Sequence, residues 1–247
     1  WDRKEPLPES GVWLTGPAPA GESGLRDMRR ILSSWADRHY GSDRAGGDSY
    51  RFLIEGISGT DLDTENPATA GAIGMILSRL DDARILTPLR TGLSGTAGIN
   101  AHLMEKLGGI FDPAGRDRVF SGAPVIITKN DYDKGLFNGD VGVILRGTGG
   151  RYFGAFARMD GIRLFPVESL PAFEPSFAIT VHKSQGSEYG SVFLALPEGT
   201  PERLLTTEIL YTGLTRAKKL VVIHGARPLL SQAIQTRTER SSRILYT

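Results

Sequence analysis

The pattern of apolar and polar positions divides the chain into three stretches. In the first, residues 1–115, apolar residues recur every three or four positions, and short apolar runs separate these segments. This pattern predicts helices that alternate with strands. The predicted helices are 25–40, 68–80 and 96–107. The predicted strands are 11–15 and 83–87, and residues 50–57 are ambiguous between helix and strand.

Residues 116–173 have a different texture, because several short strand patterns follow one another. The strands are predicted at 124–129, 141–146, 152–158 and 162–166. Asn138, Gly139 and Asp140 form a strong turn signal before the second of them. So many short strands predict a small antiparallel β-barrel inserted into an α/β domain. We expect this barrel to have its own core, filled by one face of each strand, and its two ends to lie close together.

The α/β pattern returns in residues 174–247. Strands predicted at 177–181, 192–196 and 220–224 alternate with helices predicted at 201–217 and 227–235. The sequence therefore predicts one α/β domain, formed by 1–115 and 174–247, in which a parallel sheet is flanked by helices. Residues 1–80 form an amino-terminal extension whose packing the pattern leaves open.

Composition excludes few functions. The 247 residues are 40% hydrophobic and 23% charged, which is ordinary for a globular protein. The net charge of +1 means that any contact with nucleic acid has to be a local patch. The absence of cysteine excludes disulfides and thiolate metal sites and fits a reducing compartment. No apolar run is long enough to span a bilayer, so we expect no membrane partner.

The most informative stretch is the polar segment that follows the strand predicted at 177–181. It reads H-K-S-Q-G-S-E, residues 182–188, and it is rich in hydroxyl, amide and small side chains. Such a segment at the carboxyl end of a strand suits a polyanion better than a metal ion. A solvated loop between two strands is the alternative, and the local chemistry favours neither. His182 has no acidic neighbour in sequence, which favours hydrogen bonding over catalysis.

A second informative position is Arg216, which comes at the end of a predicted helix and just before a strand. One interpretation is a surface arginine that stabilises the helix dipole. The other is an arginine finger, because a planar guanidinium stabilises the charge on a γ-phosphate during transfer. Arg90, just past the strand at 83–87, is a second candidate. We expect both arginines and the loop 180–188 to meet at the same side of the sheet.

Together these segments resemble the motifs of superfamily 1 helicases, in the order in which that superfamily has them. A-I-T-V-H-K-S-Q-G-S-E is similar to the fifth motif, and L-Y-T-G-L-T-R-A-K is similar to the sixth. R-I-L-T-P-L-R-T-G with G-T-A-G-I-N resembles the fourth motif as written in RecD, the alpha subunit of exodeoxyribonuclease V. N-D-Y-D-K-G-L-F-N-G-D-V-G-V-I-L resembles the opening of that family's Src-homology-3-like barrel, and A-I-Q-T-R-T-E-R resembles its carboxyl end. The resemblance covers residues 83–243.

The resemblance implies a second RecA-like domain, with an inserted Src-homology-3-like barrel, from an ATP-dependent DNA helicase subunit. That subunit would act in recombinational double-strand break repair in the bacterial cytoplasm. No G-x-x-x-x-G-K-[ST] occurs in the 247 residues. ATP and Mg²⁺ would therefore be held mainly by a first RecA-like domain of the same polypeptide. We expect this chain alone to be inactive and to hold no metal. The implied partners are single-stranded DNA, the first RecA-like domain and the other exodeoxyribonuclease V subunits.

The resemblance also implies roles for individual residues. Arg216, and less strongly Arg90, would reach the γ-phosphate, while Glu188 would touch the nucleotide sugar and Gly186 would allow close backbone approach. The expected DNA contacts are Thr180, His182, Lys183 and Ser184 in the loop, and Lys129, Asn130 and Lys134 in the barrel. Tyr132 is a candidate for stacking on a base, although Tyr132, Phe137 and Asn138 are more simply explained as hairpin residues. Two other functions stay open: a non-catalytic module that binds nucleic acid or docks subunits, and a superfamily 1 helicase that acts on RNA.

Overall fold

The computed structural model describes residues 9–15, 22–41, 49–113, 119–197 and 199–236. The helices in these ranges are α1 (Glu22–Ala36), α2 (Tyr50–Ile57), α3 (Pro67–Asp81), α4 (Thr96–Phe111), α5 (Thr207–Leu214) and α6 (Arg227–Gln235). The strands are β1 (Gly11–Thr15), β2 (Ala83–Thr87), β3 (Pro124–Ile127), β4 (Val141–Arg146), β5 (Tyr152–Arg158), β6 (Gly161–Pro166), β7 (Phe173–Pro175), β8 (Ala178–Thr180), β9 (Tyr189–Ala195) and β10 (Ala217–His224).

Five strands form a sheet in the order β1-β10-β9-β2-β8, and every pairing in it is parallel. The predicted α/β domain with a parallel sheet flanked by helices is therefore confirmed. Strand β8 follows the inserted segment in sequence and lies beside β2, which precedes it. The chain thus returns from the insertion to the neighbour of the strand that it left.

The first described residues belong to this domain. Strand β1 pairs with β10 over its whole length. The predicted apolar stripe of α1 is buried apart from the half-buried Leu25, and the Trp35 ring lies 5.6 Å from the ring of Phe193 in β9. A π-helical turn, Asp37–Gly41, follows α1, and the Tyr40 hydroxyl donates to the carbonyl of Ala83 at 3.0 Å. The sequence leaves the packing of the amino-terminal extension open. The structure shows that its residues 9–15 and 22–41 pack on the α/β domain.

Local sequence signals set the helix boundaries. The ambiguous residues 50–57 form α2, because the Ser49 side chain accepts from the backbone N–H of Phe52 and one face of the helix is buried. Helix α3 begins after Asn66, whose side chain accepts from the N–H of Ala68. The helix predicted at 201–217 is shorter than expected. A 3-10 turn occupies Glu202–Leu204, and Thr206 caps α5 by accepting from the N–H of Ile209.

The inserted strands form a second sheet, in the order β6-β5-β4-β3-β7, with antiparallel pairing throughout. Strands β4 and β5 match their predicted bounds, whereas β7 is not predicted by the apolar pattern. Among the described strands the pairing ends at β6 on one side and β7 on the other. The structure therefore shows a separate antiparallel sheet, and the predicted Src-homology-3-like barrel is not shown.

The expectation of a separate core for the insertion is wrong. Apolar side chains of both sheets, including Phe193 from β9 and Phe156 from β5, belong to one continuous cluster. Both faces of the central inserted strands are buried, since Ile144 is as inaccessible as Val143 and Leu145. The reason is that α2 and α3 pack against the inserted strands as well as against the parallel domain. We also expect residues 116 and 173 to lie close together, but residue 116 lies outside the described residues.

Candidate functional site

The predicted site is divided between the two ends of the parallel sheet. Because all five strands run in one direction, their amino ends meet at one end of the sheet and their carboxyl ends at the other. The polar segment 182–188 leaves the carboxyl end of β8 and enters β9 at its amino end. It therefore connects the two ends, which are on the order of 16 Å apart for a five-residue strand.

Arg216 lies at the amino end of the sheet, between α5 and β10. Its guanidinium donates to the carbonyl of Thr212 at 3.2 Å, to the carbonyl of Ser187 at 3.0 Å and to the Thr215 hydroxyl at 3.4 Å. Its own carbonyl accepts from the N–H of Tyr189 at 2.7 Å. The bond to Thr212 caps the end of α5, and the bond to Ser187 reaches the polar segment. All these partners are neutral, so the guanidinium is positioned without losing its charge.

Glu188 and Gly186 lie close to Arg216 in the same segment. The Glu188 carboxylate is 3.4 Å from the ammonium of Lys218, and both side chains are largely exposed. Such an exposed pair contributes about 0–1 kcal/mol. Gly186 has a φ of +84°, in the left-handed region, and a Cβ built there would meet nothing within 4 Å. The backbone is thus open to solvent on that side, as a close approach to a ligand requires.

Arg84 is a buried charge at this end of the sheet that the sequence analysis missed. Its side chain is 1% exposed, and it donates to the carbonyl of Ser176 at 2.6 Å. Its guanidinium carbon lies 5.0 Å from the centre of the Tyr189 ring. Asp81 approaches to 3.7 Å; burial raises the pKa of that carboxyl, and the Arg84 charge opposes the rise. Arg84 thus joins the exit of the antiparallel sheet to the first residue of β9.

Arg90 lies at the opposite end, past the carboxyl end of β2. Its guanidinium forms a 3.0 Å ion pair with Glu174 of β7, and its side chain is 67% exposed. The expectation that Arg90 and Arg216 meet at one side of the sheet is therefore wrong. The physical reason is that Arg90 follows a strand whereas Arg216 precedes one, and in a parallel sheet these positions lie at opposite ends.

The loop residues predicted to contact DNA differ in accessibility. Thr180 is half-buried, and its hydroxyl accepts from the N–H of Lys183 at 3.4 Å. The side chains of His182 and Lys183 are exposed. Ser184 is fully buried, and its hydroxyl donates to the carbonyl of Val181 at 2.7 Å. This hydroxyl closes a 3-10 turn, and its burial is incompatible with the expected contact to DNA.

A cleft opens between the two sheets at the carboxyl end, with a volume of about 160 Å³. It is lined by Arg90, Thr96, Asn100, Ile126, Glu174, Pro175, Ala178, Ile179, Thr180 and Lys183. Asn100 fixes one wall: its amide donates to the carbonyls of Pro175 and Ala178 at 2.7 and 2.9 Å and accepts from the N–H of Ala178 at 2.8 Å. Asn100 is the last residue of G-T-A-G-I-N in the segment that resembles the fourth motif, and the motif alone gives no sign of these bonds.

The predicted contacts in the insertion lie in the loop between β3 and β4. Asn130 accepts from the N–H of Asn138 at 2.8 Å and donates to the Tyr132 hydroxyl at 3.3 Å, so its amide holds the hairpin together. Lys134 is paired with Asp131 at 2.7 Å. Lys129 is exposed, and Tyr132 is 78% exposed with its ring against that of Phe137. The hairpin function of Asn130 and Asn138 is visible in these bonds.

No group of three or more His, Asp or Glu side chains in the part of the chain that the structure describes has the arrangement of a metal site. None of the helices in the described ranges has the length and apolarity needed to cross a membrane.

Comparison with known proteins gives matches to helicases. Residues 175–224 match the family described as UvrD-like helicase C-terminal domain. The chain is 36% identical over 180 residues to "RecBCD enzyme subunit RecD" of Mycobacterium tuberculosis (strain ATCC 25618 / H37Rv), which covers 71% of this chain and 30% of that protein. It is 35% identical over 143 residues to "ATP-dependent RecD2 DNA helicase" of Deinococcus radiodurans, covering 55% of this chain and 19% of that protein. The Pif1 helicase of Candida albicans aligns in structure with a TM-score of 0.40 and 16% identity, over 78% of this chain and 57% of that one.

The matched segment 175–224 contains Glu188 and Arg216. It begins at the last residue of β7 and runs to the end of β10, so it includes both the polar segment and the helix that ends before Arg216. The chain spans about 30% of the length of the RecD subunit that it matches. The resemblance of this chain to the carboxyl-terminal part of the RecD helicases, which its motifs indicate, is therefore confirmed.

Proposed function

We propose that this chain is the second motor domain of an ATP-dependent DNA helicase subunit in a RecBCD-type exodeoxyribonuclease V. It would act in the bacterial cytoplasm in recombinational repair of double-strand breaks. The observation that carries the proposal is the position of Arg216 within the segment that matches the UvrD-like family. There an unneutralised guanidinium lies beside an accessible polar loop.

In this proposal ATP lies between the amino end of the parallel sheet and a first RecA-like domain. That domain supplies the phosphate-binding loop and holds Mg²⁺, which shields the charge of the phosphates when it is bound. Arg216 releases carbonyl partners of its own chain and donates to the γ-phosphate. Glu188, whose carboxylate is paired with the exposed Lys218, contacts the nucleotide sugar, and the open backbone at Gly186 allows the approach.

Single-stranded DNA lies at the carboxyl end of the sheet. Thr180, His182 and Lys183 contact its backbone, and Lys129 and Asn130 of the antiparallel sheet extend the path. In this chain the antiparallel sheet occupies the sequence position at which the RecD family is expected to carry its Src-homology-3-like barrel. Since the segment 182–188 joins the two ends, a movement at the nucleotide displaces the DNA contacts directly. The remaining exodeoxyribonuclease V subunits are the proposed partners of the assembled enzyme.

The experiment compares ATP hydrolysis by residues 1–247 with hydrolysis by the complete polypeptide, each with and without single-stranded DNA. We expect no turnover from the 247 residues, because they lack the loop and lysine that hold the phosphates. We expect DNA-stimulated turnover from the complete polypeptide. DNA-stimulated turnover by the 247 residues, or a complete polypeptide that hydrolyses no ATP, would contradict the proposal.

A further inference from the structure

The cleft between the two sheets has the chemistry of an anion site. Two residues with cationic side chains, Arg90 and Lys183, line it together with Thr96 and Thr180. Glu174 is the one carboxylate among its lining residues, all of which are described. The lining therefore carries a net positive charge. Its volume of about 160 Å³ is below the roughly 300–1,000 Å³ of pockets for whole small molecules. A single phosphate group suits it better than a nucleotide.

We propose that this cleft binds one phosphodiester group of single-stranded DNA, and that Arg90 exchanges Glu174 for that phosphate. The inference rests on the proposed function, which supplies the DNA. It gives Arg90 a different task from Arg216: Arg90 binds the nucleic acid, and only Arg216 reaches the γ-phosphate.

The backbone of Arg90 is fixed while its side chain is accessible. Its carbonyl accepts from the Thr96 hydroxyl and from the N–H of Ala97, both at 3.1 Å. These bonds attach residue 90 to the first turn of α4, beside the cleft. The side chain is 67% exposed, and among the described residues its guanidinium bonds through Nη2 to the Glu174 carboxylate. An exposed pair of this kind is weak, and a phosphate offers the guanidinium two oxygens in the geometry of its fork.

Lys183 supplies the second charge. Its backbone N–H donates to the Thr180 hydroxyl, which places the lysine one turn beyond the carboxyl end of β8. No carboxylate of the described residues lies within 4 Å of its ammonium. The two cations come from different strands, β2 and β8, which are neighbours in the sheet. A phosphate in the cleft would thus be held from both sides.

Asn100 keeps the cleft in shape and is not itself a ligand. Its amide is committed to Pro175 and Ala178. Since Pro175 ends β7 and Ala178 begins β8, the amide joins the two strands that carry the lining residues Glu174 and Thr180. The competing explanation is that the Arg90–Glu174 pair only fastens the loop after β2 to β7. That explanation predicts a change in stability and no change in the binding of DNA.

The test measures the dissociation constant of a fluorescent dT oligonucleotide for the complete polypeptide between 50 and 200 mM salt, without nucleotide. We expect Arg90→Ala to weaken binding about tenfold. It should also reduce the slope of log K against log salt by about 0.7, the value for one phosphate contact on a single strand. Glu174→Gln should tighten binding about fivefold, because it removes a negative charge beside the phosphate. The Michaelis constant for ATP should not change in either variant.

The matched controls are Arg163→Ala and Asp160→Asn, which disrupt another exposed arginine–carboxylate pair, in the antiparallel sheet. Neither should alter the affinity or the slope. An unchanged slope in Arg90→Ala, or a change in ATP turnover with unaltered DNA affinity, would overturn this inference and leave the proposed function standing. A wild-type protein that binds no dT oligonucleotide would overturn both. Tighter binding of an rU oligonucleotide than of dT would overturn the assignment to DNA.

Discussion

Arg216 and Arg90 show how the two ends of one parallel sheet prepare an arginine differently. At the amino end, Arg216 is held by two carbonyls and a hydroxyl, all neutral. At the carboxyl end, Arg90 is held by the carboxylate of Glu174. The first arrangement fixes the direction in which the guanidinium points and leaves its positive charge unneutralised. The second neutralises the charge until an anion competes for it.

The difference follows from where each arginine stands relative to its strand. Arg216 lies just past the end of α5, so a carbonyl of that helix, Thr212, and the carbonyl of Ser187 in the polar segment are within reach of its guanidinium. Arg90 is the third residue past β2, in a glycine-containing loop, and its side chain reaches Glu174 of β7. A site that acts on a transferring phosphoryl group needs a charge already in place. A site that binds and releases a polymer at every step is better served by an exchangeable partner.

The largest expected effect concerns Arg216. In the complete polypeptide, Arg216→Ala should lower the DNA-stimulated turnover number about 10³-fold and leave the dissociation constant for ATP unchanged. Arg216→Lys should restore little, because an ammonium cannot reproduce the planar fork. The measurement is steady-state ATP hydrolysis together with equilibrium nucleotide binding.

Arg227→Ala is the control for this comparison, since Arg227 is an exposed arginine just past the other end of β10. Its turnover should match that of the wild type. Near-normal turnover in Arg216→Ala would mean that this arginine only caps α5, and the contrast between the two ends would disappear.

The next effect concerns the rigidity of the carboxyl end. Asn100→Ala should lower the free energy of unfolding by about 3 kcal/mol, because it leaves an N–H and two carbonyls without their partner in a buried wall. Denaturant unfolding of the same polypeptide measures it. Asn130→Ala is the matched control, as its amide lies in an exposed hairpin loop, and its effect should stay below about 1 kcal/mol. Equal losses of unfolding free energy in the two variants would show that the Asn100 bonds stabilise the fold no more than those of an exposed loop residue.

The smallest effect is a pH dependence at the carboxyl end of β10. Burial lowers the pKa of His224, with a smaller opposing effect of Asp27, and the His224 Nδ1 lies 2.8 Å from the Thr15 hydroxyl. A histidine with a lowered pKa in the folded state binds its proton more readily when unfolded. Stability is therefore full above the unfolded pKa of about 6.5 and is lost as the pH falls below it, by at most about 1.4 kcal/mol per pH unit and group.

This dependence is measured as the melting temperature between pH 7.5 and 5. His224→Gln should flatten the plot of melting temperature against pH in part. His102→Gln should also flatten it, because burial lowers the pKa of His102 as well. A curve whose slope is the same in both variants as in the wild type would show that neither histidine is the group responsible.

Much of the fold is encoded in local sequence. Strands β1 and β2 match their predicted residues, and α3 follows from Asn66 and Pro67. The local sequence does not encode which helix or strand packs against each face of a strand. The alternation in β3 and β4 predicts one buried face, but both faces are buried: α2 and α3, distant in sequence, contact β4, and Ile126 of β3 packs in a cluster with residues of the parallel sheet. Residues 50–57 are ambiguous for the same reason, since a short amphipathic segment takes its conformation from what it packs against.

The site was predictable in composition and not in arrangement. The polar loop and Arg216 stand out because polar residues follow or precede apolar strands. The separation of Arg90 from Arg216 depends on strand direction, which a motif list does not contain. Arg84 had one visible signal, a charged residue within the apolar strand A-R-I-L-T, whereas the pairing of Glu174 with Arg90 spans 84 positions.

The continuous core has a mechanical consequence. Because side chains of both sheets interlock in one cluster, and Arg84 ties the exit of the insertion to β9, the antiparallel sheet has no hinge of its own among these contacts. Any rotation of the parallel sheet then carries the antiparallel sheet with it as a lever arm. An angular change of the parallel sheet would then become a linear displacement at the loop between β3 and β4, which carries Lys129 and Tyr132. Under the proposed function, the reach of the insertion would therefore determine how far its DNA contacts move.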